Sequence, residues 1–233
     1  MTRDTADFQK MHFYERFAAD FDSVVNMYDT KKRLSVVFDE LLANENLKGK
    51  KLLDAGCGTG WFSAESVRRG ARVTSMDLGK QLLNEVAKKT DSKRIVGSIL
   101  DMPFQNNTFD YVISSEVIEH VTNPALALQE MHRVIKPKGI LVLTTPNKFW
   151  YFSLIIARFF KLRPYQGLEN WHSYGELKTL LQKTGFQIKT MYGIHAFPFV
   201  IPLFNPVLDM LHSLKKPLAP FMVNIAVKCQ KIS

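Results

Sequence analysis

Cysteine is scarce: Cys57 and Cys229 are the only two in 233 residues. So distant a pair sets up no disulfide framework. With no Cys-x-x-Cys pair, a structural zinc site of that type is also excluded, and a reducing cytoplasm is the natural compartment. Long apolar runs are missing too. The longest stretch, 149–160, is broken by Arg158 and falls short of the ~20 residues that cross a bilayer. The first residues, Met1 to Asp7, are polar and carry acids, so they do not read as a secretory signal. There is no repeat and no low-complexity tract. What remains is an ordinary globular composition, 46% hydrophobic and 23% charged, enough to build the core of one sizeable α/β domain.

Acidic residues are rare in one region only. Residues 148–233 hold 11 Lys and Arg against 3 Asp and Glu, so this third carries +8 of the net +9. Such a surface suits an acidic substrate, an anionic membrane or nucleic acid, and equally a solvated lysine-rich face.

From residue 51 onward, short apolar runs alternate with longer amphipathic ones, which predicts a parallel sheet covered by helices. Strands are expected at 51–55, 72–76, 94–98, 109–115, 139–145, 186–192 and 221–229. Helices are expected at 63–69, 80–89, 123–134 and 177–184, and ahead of this unit at 7–28 and 32–42. Residues 147–172 are crowded with aromatics, and the five prolines of 195–220 forbid one long helix there. The expected fold class is α/β: a Rossmann-like, seven-stranded, mostly parallel sheet with helices on both faces, N-terminal helices and an aromatic lid insertion. One domain spans 1–233, with a helical cap (1–50), a cofactor-binding core (51–146), an acceptor-side half with lid insertions (147–220) and a last strand (221–233).

The run Leu53-Asp54-Ala55-Gly56-Cys57-Gly58-Thr59-Gly60 joins the first strand to the first helix, and Asp77 stands at the tip of the next strand. Strand, glycine turn, helix and distal acid form a nucleotide-binding design, in which the glycines let the backbone approach the ligand and the acid accepts from ribose hydroxyls. The spacing is Gly-x-Gly-x-Gly, and counting from Gly58 the third glycine of a dinucleotide fingerprint is replaced by Ser63. Asp54 would also sit beside the turn where a pyrophosphate lies, and two anions there repel. A sulfonium with a free amino group is attracted instead, so the residues favour S-adenosyl-L-methionine (SAM) over NAD. Cys57 reads as a small residue filling the turn, not a nucleophile.

Asp54 to Gly60 resembles motif I of class I SAM-dependent methyltransferases. Gly97 to Phe104, then Thr108 to Val112, resemble the third and fourth motifs of that superfamily, and Arg133 to Gly139 the turn into its fifth strand. The resemblance implies that Asp54, Ala55, Gly56, Cys57, Gly58 and Gly60 wrap the methionine part of SAM. It also implies that Asp77 and Leu78 hold the ribose, and that Ser98 and Ile99 lie against the adenine. The family usually has an aspartate at the Ser98 position; either Ser98 accepts the adenine amino group or Asp101 substitutes.

After the fourth strand comes Ser115-Glu116-Val117-Ile118-Glu119-His120-Val121. Were it helical, Glu116, Glu119 and His120 would share one face. The stretch resembles the Glu-x-x-Glu-His of ubiquinone-biosynthesis O-methyltransferases, where these residues bind a divalent metal. The same pattern occurs widely among small-molecule methyltransferases with no metal role, so no metal ligand is assigned. Glu116 and His120 are taken as catalytic, His120 as base or acceptor-orienting group. The same resemblance implies that Arg33 reaches the cofactor carboxylate and that Ser115 contacts the cofactor.

The aromatic insert and the proline-broken stretch are expected to form a lid over the acceptor. Trp171, His172, Tyr174 and His195 are its polar-capable members, each with a structural alternative. Together these features predict methyl transfer in line from SAM, leaving S-adenosyl-L-homocysteine, to a small, hydrophobic or lipid-linked acceptor, foremost on oxygen. Peripheral membrane contact would fit the apolar, basic C-terminal third. Four alternatives stand beside this reading. They are an RNA methyltransferase, which lacks any recognised RNA-binding module here; N- or C-methylation of a metabolite; a non-catalytic SAM-binding partner; and an NAD enzyme.

Overall fold

A computed structural model describes residue 22 and residues 26–159, 169–198 and 202–232. The expected helix at 7–28 lies almost wholly outside the described residues. Seven strands form one sheet: β1 (Lys51–Ala55), β2 (Arg72–Asp77), β3 (Lys93–Val96), β4 (Phe109–Ser115), β5 (Ile135–Pro146), β6 (Phe186–Ile194) and β7 (Asn224–Lys231), in the order β3-β2-β1-β4-β5-β7-β6. Pairings are parallel from β3 to β5, while β7 runs antiparallel between β5 and β6. This is the expected α/β fold. The last strand starts three residues later than expected, because Ala219–Phe221, with Pro220 at its start, closes a 3-10 turn first.

Strand alternation sends successive side chains to opposite faces. Leu53, Leu141, Leu143, Ile225 and Val227 enter one core beneath the helices α4 (Pro124–Val134) and α6 (Tyr174–Lys183). Their neighbours Leu52, Ile140, Val142 and Ala226 enter a second core. That face is covered by α2 (Trp61–Arg68) and by the N-terminal helix α1 (Met27–Ser35), which widens into a π-helical stretch, Val36–Leu41. Helix α3 (Lys80–Lys89) packs Leu83 and Val86 on Cys57. Local chemistry fixes the ends of these helices: the Asn123 side chain accepts from Leu126 N–H ahead of Pro124, and Ser173 with Glu176 forms a capping box.

Pro146, Asn224 and Ile194 pair across one edge of the sheet. Hence the aromatic insert, which opens with α5 (Tyr151–Phe159), and the proline-broken stretch both leave the sheet where the parallel strands end. The latter stretch is a series of short turns around α7 (Asn205–Leu211). Asn147 Nδ2 donates to the carbonyls of Pro220 and Met222, each at 2.9 Å, and stitches the two segments together.

Candidate active site

Open α/β sheets bind ligands beyond the carboxyl ends of their strands, where the strand order reverses. Here a cavity of about 280 Å³ lies at that place, lined by residues following β1, β2, β3 and β4 and walled by Thr30 and Arg33 of α1. Of the residues singled out from sequence, Arg33, Asp54, Gly56, Cys57, Gly58, Asp77, Leu78, Ser98, Ile99, Ser115, Glu116 and His120 line it. Ala55, Gly60 and Asp101 do not. Ala55 is buried and its carbonyl accepts from Ser114 Oγ. Gly60 opens α2 at φ +90°, where an added Cβ would lie 2.9 Å from Val86. Asp101 is exposed, and its amide closes a turn on the Ser98 carbonyl.

Three acids face one strong cation across this wall. Asp54 is fully buried, and burial pushes its carboxyl up to about 7, with the nearby Asp77 charge adding to the rise and the Ser63 hydroxyl opposing it. Ser63 Oγ donates to Asp54 at 2.6 Å, and a chain of hydroxyls runs back through Ser75 (2.6 Å) to Ser92 (2.7 Å). Since Ser63 spends its proton on Asp54, Ser75 must donate to Ser63 and Ser92 to Ser75. The serine that spoils the dinucleotide fingerprint is thus the one that holds the acid. Asp77 accepts the amides of Gly58 and Gly79, both at 2.9 Å, yet burial still raises its pKa. Burial also drives the Cys57 thiol well above its usual range, which fits a packing role.

Arg33 is the only lysine or arginine in the lining among the described residues. Its Nη1 donates to Ser115 Oγ at 2.8 Å and its Nε to Asp29 at 2.8 Å, while the other Asp29 oxygen meets His195 Nε2 at 3.1 Å.

The stretch after β4 is not the helix that would align Glu116, Glu119 and His120. Glu116 N–H bonds the Thr144 carbonyl at 2.9 Å and takes φ +57°, so the chain reverses there and only Ile118–His120 turns, as 3-10. Glu116 accepts from Asn224 Nδ2 at 2.9 Å and burial lifts it to about 7, its Oε1 finding no hydrogen-bond partner among the described residues. Glu119, fully buried, accepts from Thr145 Oγ1 at 3.1 Å, and its other oxygen lies 3.7 Å from His120 Nε2. Among the described residues no three His, Cys, Asp or Glu converge as a metal site.

Several partners carried no signal in the sequence. Asp22 accepts from Thr59 Oγ1 (2.6 Å) and Trp61 Nε1 (3.0 Å), both beside the cavity, and pairs with Lys89 at 2.7 Å. Asn170 donates to the backbone carbonyls of Glu119 and Val121, at 2.7 and 2.6 Å, fastening the end of the aromatic insert to the His120 loop. The other polar-capable residues of this region have their own partners or surroundings. Trp171 Nε1 bonds Glu169 and Tyr174 Oη bonds the Met191 carbonyl, while burial lowers the His172 pKa.

Fold and site together define a Rossmann-like enzyme whose acid-lined glycine turn takes a cationic nucleoside cofactor. Comparison with known proteins narrows this. A methyltransferase-domain family model matches residues 53–143. The chain is 32% identical over 167 residues to the ubiquinone biosynthesis O-methyltransferase of Nitrosococcus oceani, covering 66% of this chain and 70% of that protein. It is 32% identical over 181 residues to the same-named protein of Vibrio cholerae, covering 72% of each. Among solved structures, SAM-dependent methyltransferases of Thermotoga maritima (TM-score 0.67, 17% identity, 94% of this chain and 98% of that one) and Mesorhizobium loti (TM-score 0.60, 17%, 79% and 92%) share the fold. The chain belongs to the SAM-dependent methyltransferases, and S-adenosyl-L-methionine is its cofactor.

Proposed function

We propose that this methyltransferase acts on the oxygen of a small, hydrophobic or lipid-linked acceptor. The carrying observation is His120 on the cavity wall with the buried Glu119 3.7 Å from its Nε2. When bound, SAM supplies an activated methyl group on a sulfonium. A hydroxyl acceptor must shed its proton as it is methylated, and a phenol with pKa near 10 benefits from a base. His120 takes that proton at the cavity wall. The buried Glu119 carboxylate behind it stabilises the imidazolium, and Thr145 holds Glu119 in place. Relatives named ubiquinone biosynthesis O-methyltransferase support oxygen as the target.

On the cofactor side, Asp54 and Glu116 present negative charge to the sulfonium and amino group, Asp77 accepts from the ribose hydroxyls, and Ser98 and Ile99 flank the base. The apolar bias of the acceptor is supported by Phe149, Phe152, Leu203, Phe204 and Met210, which stand exposed beyond the edge of the sheet where the lid segments emerge. With Lys148, Lys215 and Lys216 close in sequence, these side chains suit contact with an anionic membrane surface that presents the acceptor. No described helix is long and apolar enough to cross a membrane.

The test is a methyl-transfer assay with a catechol bearing a long apolar tail, the same catechol without it, an alkylamine and a structured RNA. Fastest O-methylation of the tailed catechol is expected. Preferential methylation of the amine or the RNA would overturn the reading.

A further inference from the structure

A buried ion pair on α1, Asp29 with Arg33, and the His195 ring set against it have a cost that packing does not explain. Asp29, Arg33 and His195 are each less than a tenth exposed, at 8%, 9% and 2%. Burying charged groups costs desolvation that their mutual attraction often fails to return, so such clusters are weak devices for stability. His195 carries a second cost, since its backbone sits at φ +58°, in the left-handed region that non-glycine residues rarely adopt. It follows Ile194, the last residue of β6, and is 166 residues from the acid it meets. Both costs converge on one atom group, the guanidinium of Arg33.

The geometry gives the cluster a direction. Asp29 takes the Arg33 Nε at 2.8 Å with one oxygen and the His195 ring at 3.1 Å with the other, so the carboxylate is fixed from two sides. Tyr28 packs on the far side of the imidazole, with ring centroids 5.4 Å apart. With Nε anchored, the planar guanidinium turns its Nη1 edge toward Ser115 at the mouth of β4. The rest of the charged lining, Asp54, Asp77 and Glu116, is acidic. A cofactor that carries a sulfonium, an ammonium and a carboxylate therefore finds there one lysine or arginine for its carboxylate, Arg33.

We propose that Asp29 and His195 are positioning residues that aim Arg33 at the carboxylate of the cofactor. This rests on the cofactor assigned above and adds the residues that orient its amino-acid end. Neither residue touches the cofactor; they set the angle and limit the motion of the guanidinium that does. An arginine free to rotate would pay to be ordered at each binding event, whereas one held by a buried acid has that cost met by folding.

The experiment compares two ligands on the full chain by calorimetry: S-adenosylhomocysteine and its decarboxylated analogue, which keeps the amino group. The parent is expected to prefer the carboxylated ligand by roughly tenfold to a hundredfold, as a charge-assisted contact implies. Arg33→Lys, Asp29→Asn and His195→Asn should each cut that preference to a few-fold while leaving affinity for the decarboxylated ligand within about twofold. Asparagine tolerates the left-handed backbone at position 195 but is too short to reach Asp29. If Asp29→Asn fails to fold, His195→Asn carries the test alone. Equal loss of both ligands in the variants would make the cluster merely structural and overturn the proposal. A parent that binds S-adenosylhomocysteine without preferring it over the analogue would overturn the role of Arg33 alone. A parent that binds neither would overturn the cofactor site itself.

Discussion

Asp54 offers a stability experiment whose sign and size follow from the site. Its carboxyl titrates near 3.9 in an unfolded chain and is pushed up to about 7 in the folded one. The folded state therefore holds the Asp54 proton more tightly, so this residue's contribution to stability falls as pH rises from about 4 to about 7, and is level above that. Three pKa units at about 1.4 kcal/mol each make the loss about 4 kcal/mol. Asp54→Asn removes the titrating group yet keeps an oxygen to accept from Ser63. In the ligand-free protein the variant should match the parent near pH 4 and exceed it by up to about 4 kcal/mol at pH 8. Urea unfolding at pH 5, 6.5 and 8 measures this; because the Asp77 charge adds to the Asp54 rise, the difference reports that coupled pair. The same substitution should weaken binding of SAM, whose cation is what makes an ionised Asp54 tolerable. Calorimetry in buffers of different ionisation enthalpy should accordingly show proton release when the parent binds SAM at pH 7, and less from the variant, in which Glu116, lifted to about 7, still titrates. Stability curves that run parallel from pH 5 to 8 would refute the claim that burial governs this carboxyl.

Three further substitutions probe the turn and the ribose acid. Gly56→Ala puts a methyl 2.6 Å from both Val117 methyls at φ +79°, whereas Gly58→Ala meets nothing within 4 Å and suffers only from φ +52°. Thermal unfolding should show a loss of about 3 kcal/mol for the first and 1–2 kcal/mol for the second; equal losses would mean that Val117 yields. Asp77→Ala removes the acceptor of the Gly58 and Gly79 amides, and should weaken S-adenosylhomocysteine binding about tenfold or more; unchanged affinity would displace the ribose from this acid.

What the sequence disclosed is what neighbours in the chain decide. The glycine turn, Asp77 at a strand tip and the strand at 51–55 are local patterns, and all stand in the structure as read. What escaped was made by distant contact. Asn224 reaches Glu116 across 108 positions, and His195 reaches Asp29 across 166, so no spacing rule connects them. The stretch from Glu116 to His120 shows the same limit from the other side. Its residues suit a helical face, but the bond from Glu116 N–H to the Thr144 carbonyl on β5 turns the chain before a helix begins. Tertiary pairing overrode a local preference.

That turn is what leaves Glu119 behind His120 instead of beside Glu116, and it makes the base testable apart from the acceptor's identity. A base matters in proportion to how firmly the acceptor holds its proton. Glu119→Gln removes the charge 3.7 Å from the imidazole and keeps an oxygen for Thr145. Toward a catechol with an ordinary phenol pKa, the variant should lose about tenfold to a hundredfold in kcat, and His120→Ala should lose at least as much. Toward a nitrocatechol already ionised at the assay pH, both losses should shrink to a few-fold, with S-adenosylhomocysteine affinity unchanged throughout. An equal loss on both acceptors would mean that the pair orients the acceptor without taking its proton, and the assignment of His120 as base would fall while its place on the cavity wall stood.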